Sequence, residues 1–148
     1  MEKKLKCFLV HGHNERLKYK VSRFLSKELK KELKIDVTIL HEELNYGNTI
    51  IEKFEMFSDV DFVVALWSAD DWGRKKGLKK IKGKIKNNHR ARQNVIFETG
   101  FFIGKLGRKK VIVLYDMKVE IPSDYHGVLY IPLSDNWKFK LQEEIKRI

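Results

Sequence analysis

Short apolar runs alternate with stretches of helical spacing along this chain, and that alternation constrains the fold more than any other feature. "LKCFLV" (residues 5–10) ends at "HGH", which predicts a buried strand followed by a turn. Asn14 is placed to cap a helix in which Leu17, Val21, Phe24, Leu25 and Leu29 recur on one face. "IDVTIL" (residues 35–40) has β-branched alternation and predicts a second strand. "HEELNYGN" (residues 41–48) predicts a loop turning at Gly47, after which Thr49 caps a short helix carrying Ile50, Ile51, Phe54 and Phe57. "DFVVALW" (residues 61–67) is apolar on both faces and predicts a central strand.

A long basic loop follows, then an apolar helix closed by Gly104 and Gly107. "KKVIVLY" (residues 109–115) predicts a fourth strand, "IPSDYHG" a loop, and "VLYIPL" a fifth strand stopped by Pro132. Trp137, Leu141, Ile145 and Ile148 line one face of a final helix. This order, without repeat or linker, predicts an α/β fold: a five-stranded parallel sheet with helices on both faces, in a single domain over residues 1–148. Ligands of such sheets bind beyond the carboxyl ends of the strands. Those ends carry "HGH", "HEELNYGN", "WSADDWG" and "DMKVEIPSDYHG".

Composition narrows the classes. A hydrophobic content of 43% supports a packed core and excludes a disordered polybasic chain. The apolar runs are too short to span a membrane or to serve as a signal peptide. One cysteine, Cys7, excludes an internal disulfide and a thiolate metal cluster, so a cytoplasmic protein is expected. The net charge of +11 is concentrated: residues 74–97 hold no acidic residue. "GRKKGLKKIKGKIKNNHRAR" either attracts anions, such as nucleotide phosphates, nucleic acid or an acidic protein surface, or is a solvated lysine-rich loop. Nucleic-acid binding rests on charge alone, since no recognition motif accompanies it.

The chemical motifs are few. "VHGHNE" is neither a G-x-G-x-x-G nor a Walker A loop, which argues against a Rossmann oxidoreductase or P-loop enzyme. His11 and His13 have no further ligands at zinc spacing, and His41, His89 and His126 lie in other loops, so no metal site is predicted. Ser68, Asp70 and Asp71 either cap a helix or meet ribose hydroxyls. No G-x-S-x-G elbow is present. The unusual residue is Glu98, a carboxylate inside "RARQNVIFETGFFIGKLG". Its helical neighbours are Asn94, Val95, Phe101 and Phe102. The residues leave two readings open: a carboxylate at the mouth of an apolar pocket, or an ion pair with Arg90, Arg92 or Lys105.

Five segments, "FLVHGHNE", "ILHEELNYGNTIIEKFE", "DFVVALWSADDWGR", "RARQNVIFETGFFIGKLGR" and "EIPSDYHGVLYIPL", together resemble the TIR-like domain of bacterial antiphage effectors. This is the family of the CBASS and Pycsar defence systems, including fusions of TIR to STING-type sensors. The resemblance covers nearly the whole chain in order. It implies a flavodoxin-like TIR fold and NAD+ glycohydrolase activity, with NAD+ as substrate and no cofactor. It implies that the catalytic glutamate is Glu98, in the N-V-x-F-E block. Asn94 stands four residues earlier, where many other TIR enzymes carry an aromatic. "HEELNYGN" corresponds to the BB loop, which contacts a neighbouring subunit, so activation through TIR–TIR self-association is implied. Asp124 matches an acidic position near the family's active site. Effectors of this kind usually carry a cyclic-nucleotide sensor. No second domain is legible in these residues, so an excised domain, a free-standing TIR or a separate sensor partner is expected.

Cleaving the nicotinamide–ribose bond develops oxocarbenium character on the ribose, and Glu98 is the group expected to stabilise it. Water as acceptor gives ADP-ribose; the adenine ring as acceptor gives a cyclic product. By strand end, His11, Gly12 and His13 are assigned to the adenosine side, Arg90 or Arg92 to the pyrophosphate, and Trp67 and Ser68 to closure of the crevice near the ribose. Two other classes compete: a non-enzymatic TIR assembly and signalling module, and a nucleoside N-glycosidase or ribosyltransferase with no need of diphosphate contacts.

Overall fold

The structure is a computed structural model describing residues 4–43, 47–77 and 87–148. Five parallel strands form one sheet: β1 (Leu5–Val10), β2 (Ile35–Thr38), β3 (Phe62–Trp67), β6 (Val111–Tyr115) and β7 (Leu129–Pro132), in the order β2-β1-β3-β6-β7. A separate antiparallel hairpin pairs β4 (Asp71–Gly73) with β5 (Asn88–Arg90). The helices are α1 (Glu15–Arg23), α2 (Ile50–Met56), α3 (Gln93–Leu106) and α4 (Trp137–Ile145).

Alternation along each strand sends side chains to two cores. Cys7, Leu9, Val64, Leu66, Ile112 and Leu114 pack against Val21 and Leu25 from α1 and its extension and against Trp137, Leu141 and Ile145 of α4. Phe8, Val10, Val63, Ala65, Trp67 and Val113 pack on the opposite side against Phe54 of α2 and Val95 and Phe102 of α3. Helices therefore cover both faces, as the alternation predicts. Phe8, Phe54 and Phe102 form a cluster with centroids 4.8 to 5.4 Å apart, each pair worth about 1 kcal/mol beyond burial.

Local signals hold in detail. Asn14 accepts from Leu17 N at 3.0 Å as the cap of α1, and Thr49 with Glu52 forms a capping box on α2. Gly107 ends α3 at φ +83°.

Five expectations need correction. The second strand stops at Thr38, and Ile39 leads into a 3₁₀ turn at Leu40–Glu42. The first helix continues as a π turn, Phe24–Glu28, and a 3₁₀ turn, Leu29–Lys31. Gly104 lies inside α3, and α4 ends at Ile145 with Ile148 exposed beyond it. The last three residues of "WSADDWG", Asp71–Gly73, and Asn88–Arg90 near the end of the basic run are the hairpin strands β4 and β5. The lysine run over residues 78–86, and residues 44–46 of "HEELNYGN", lie outside the described residues.

Candidate active site

Glu98 owes its position to the way α3 is pinned to the sheet. Val95, Thr99 and Phe102 form its buried face. The Thr99 hydroxyl donates to Val95 O at 2.6 Å and accepts from Trp67 Nε1 at 3.1 Å, which fixes α3 against the end of β3. The adjoining face of α3 turns towards α2. Between them lies a cleft of about 340 Å³, lined by Ile50, Ile51, Phe54 and Glu55 from α2 and by Asn94, Phe97, Glu98 and Phe101 from α3.

Glu98 is half-buried there, and loss of hydration pushes its carboxyl up to about 7. Among the described residues no charged neighbour contributes to the shift. The three cations that could have paired with it are engaged elsewhere: Arg90 Nε donates to Glu120 at 2.9 Å, Arg92 lies 3.8 Å from Asp71, and Lys105 Nζ donates to Ser58 Oγ. Among the described residues the ion-pair reading has no partner left. Glu98 is a carboxylate in an apolar cleft with Asn94 one turn before it.

A second cleft of about 470 Å³ adjoins the first, and Phe97 lines both. Arg90, Ala91, Gln93, Ile96, Glu120 and Pro122 complete it. The β4–β5 hairpin delivers Arg90 to this place. Its guanidinium lies across Gly73, where a Cβ would come within 2.6 Å of Nε and Nη1. Arg90 is thus oriented by Glu120 and by an absent side chain.

The strand-end residues form a third group. Asp70 Oδ2 accepts from the Ser68 hydroxyl at 2.7 Å and from His13 N at 3.1 Å. Gly12 is required by this arrangement, since a Cβ there would lie 2.1 Å from the Asp70 carboxylate. Arg92 Nη1 approaches His13 Nδ1 at 3.1 Å. Asp70 and Ser68 therefore tie the β1–α1 turn to the end of β3, and neither caps a helix. His11 Nδ1 bonds Gly12 O at 2.8 Å, while its Nε2 is buried without a partner among the described residues. Desolvation is the largest influence on the ring and lowers its pKa, which favours the neutral form.

The sequence-predicted residues are thus not one constellation. Asn94 and Glu98 share a cleft, Arg90 lines the next, and Gly12, His13, Ser68 and Arg92 meet at the strand ends. Trp67, expected to close the crevice, is fully buried beneath α3 and packs against Tyr125 and Tyr130. Ser68 is 2% exposed and spends its hydroxyl on Asp70. Asp124 is exposed in a 3₁₀ turn; its neighbour Tyr125 docks that turn onto α3 by donating to Ile96 O at 3.1 Å. Tyr125 and the cleft walls Ile50, Ile51, Phe97 and Glu55 escape the sequence reading. Ile50, Ile51 and Phe97 carried a signal, since they are apolar at positions off the buried faces of their helices.

Among the described residues, no group of three or more His, Cys, Asp or Glu could hold a metal ion, and no helix is long and apolar enough to cross a membrane.

The sequence model of the family described as "CAP12/Pycsar effector protein, TIR domain" matches residues 6–135. The chain is 43% identical over 143 residues to "Uncharacterized protein YuaY" of Escherichia coli, covering 95% of this chain and 44% of that protein. It is 36% identical over 154 residues to "Protein tirC" of Dictyostelium discoideum, covering 96% of this chain and 70% of that protein. A shorter match, 38% over 74 residues, joins 49% of this chain to 22% of "Pycsar effector protein BcPycTIR" of Burkholderia cepacia. The chain thus spans less than half the length of the E. coli relative.

Proposed function

This chain belongs to the TIR-domain family of CAP12 and Pycsar effector proteins, and we propose that it is an NAD+ glycohydrolase serving as an antiphage effector. The observation that carries the reading is Glu98: a half-buried carboxylate without a partner among the described residues, facing an apolar cleft. A carboxylate left in this state is costly to a fold and is suited to meeting a cation that arrives with a ligand.

The substrate's pyridinium ring enters as a cation and departs as neutral nicotinamide, so no acid is needed to protonate the leaving group. The positive charge passes to the ribose as the C1′–N bond breaks. Glu98 stabilises that charge across a cleft with apolar walls, Phe54, Phe97, Phe101, Ile50 and Ile51, and the attraction strengthens once those walls are covered and water is excluded. Phe faces also suit a flat cationic ring. Asn94 offers an amide to the ribose or carboxamide from the same helix face. The adjoining cleft, with Arg90, takes the pyrophosphate, leaving Phe97 between the two halves of the dinucleotide.

Binding of a cation beside Glu98 favours its ionised form, so substrate helps to generate the catalytic state. Self-association has support in the cleft rim: Ile50, Ile51 and Phe97 are each more than half exposed. A partner subunit that covers them would dry the cleft, and a separate or fused cyclic-nucleotide sensor would drive that contact. Incubation of the chain with NAD+, free and artificially clustered, tests the reading. Chromatography should show nicotinamide with ADP-ribose or its cyclic isomer; intact NAD+ in both states overturns it.

A further inference from the structure

We propose that Glu55 is a second catalytic carboxylate of this cleft, the base that takes the proton of the acceptor water; the inference rests on the glycohydrolase reading of the same site. Among the described residues, none of those lining the cleft is basic, and two are glutamates. They stand on different walls, Glu55 on α2 and Glu98 on α3.

The two walls are held in fixed relation. Phe54, beside Glu55, packs against Phe101 and Phe102 at 4.7 and 5.1 Å between centroids. Ser58, just beyond α2, donates to the Glu55 carbonyl at 2.6 Å and accepts from Lys105 of α3 at 2.5 Å. The segment carrying Glu55 is therefore fastened to α3 at both its apolar and its polar contacts. Glu98 is half-buried, whereas Glu55 is exposed to solvent.

This difference divides the labour. Glu98 faces the developing ribosyl cation, and its charge is committed there until a new bond forms. The acceptor water must lose a proton as that bond is made. In the step, the C1′–N bond breaks and its electron pair leaves with nicotinamide. The water oxygen bonds to C1′, and its proton passes to Glu55 and then to solvent, giving ADP-ribose.

The test uses an acceptor that has no proton to lose. With 3-acetylpyridine in excess, the clustered chain should exchange nicotinamide for the added base as well as hydrolyse NAD+. Glu55→Gln should lower ADP-ribose formation about 100-fold while base exchange stays within about threefold, since a general base is typically worth 10²–10⁴ and exchange needs none. Glu55→Asp should recover part of the hydrolysis. Glu98→Gln should lose both reactions. Hydrolysis and exchange that stay unchanged together, or fall together, in Glu55→Gln overturn the role of Glu55. A wild-type chain that neither hydrolyses nor exchanges overturns the glycohydrolase reading itself.

Discussion

Glu98→Gln should stabilise the protein at alkaline pH while removing its activity. In the folded chain burial raises the carboxyl from its ordinary 4.5 to about 7. Between those values the folded state holds a proton that the unfolded state has lost. A group with a raised folded pKa of this kind is an acid that resists ionising, so stability falls as pH rises through the window and the loss is complete above about 7. At about 1.4 kcal/mol per pH unit the penalty is at most about 3.4 kcal/mol, and partial exposure brings it to about 2–3 kcal/mol. Glutamine fills the same volume and cannot ionise. Chemical denaturation of both proteins at about pH 5 and about pH 8.5 should show the variant's advantage growing by about 2 kcal/mol, or roughly 6 °C in Tm. An advantage that does not change with pH would refute the argument. So would a variant less stable at high pH, since the carboxylate would then have a cationic partner.

Other substitutions probe the supports of the site. Thr99→Val leaves Trp67 Nε1 without its buried acceptor and should cost about 1–3 kcal/mol in urea denaturation. Gly12→Ala places a methyl against the Asp70 carboxylate and should cost about 1–3 kcal/mol; in an Asp70→Ala background most of that cost should disappear, a coupling that a double-mutant cycle measures. Phe97→Ala removes a ring that is 64% exposed, so stability should stay within about 0.5 kcal/mol. Because Phe97 lines both clefts, KM for NAD+ should nonetheless rise severalfold in steady-state assays.

The five sheet strands are legible because a parallel strand between two helical layers is buried on both faces. β3 is buried at every position from Phe62 to Trp67, and its apolar run says so. The same signal misleads at Ile39 and Leu40, which are 4% and 7% exposed yet lie beyond the end of β2. Apolarity there reports burial, not conformation. The β4–β5 hairpin has no period to read: its strands are three residues long, one contains Gly73, and the basic run separates them. The place of Trp67 at a strand end points to the crevice, but its side chain alternates inwards onto Thr99. Glu98 is visible as a charge in an apolar helix. Glu55 is not, because on α2 it reads as one more solvated carboxylate until α2 is packed against α3.

The central claim is that the unpaired carboxylate of Glu98 cleaves the nicotinamide–ribose bond. The most direct measurement is nicotinamide release from NAD+ by clustered wild type and Glu98→Gln across pH. Wild-type kcat/KM should rise about tenfold per pH unit below about 7 and level off above it, because the ionised carboxylate of the free enzyme is the active form. Glu98→Gln should release none at any pH. Turnover by Glu98→Gln within about tenfold of wild type, where loss of an essential electrostatic group costs 10²–10³, would contradict the account.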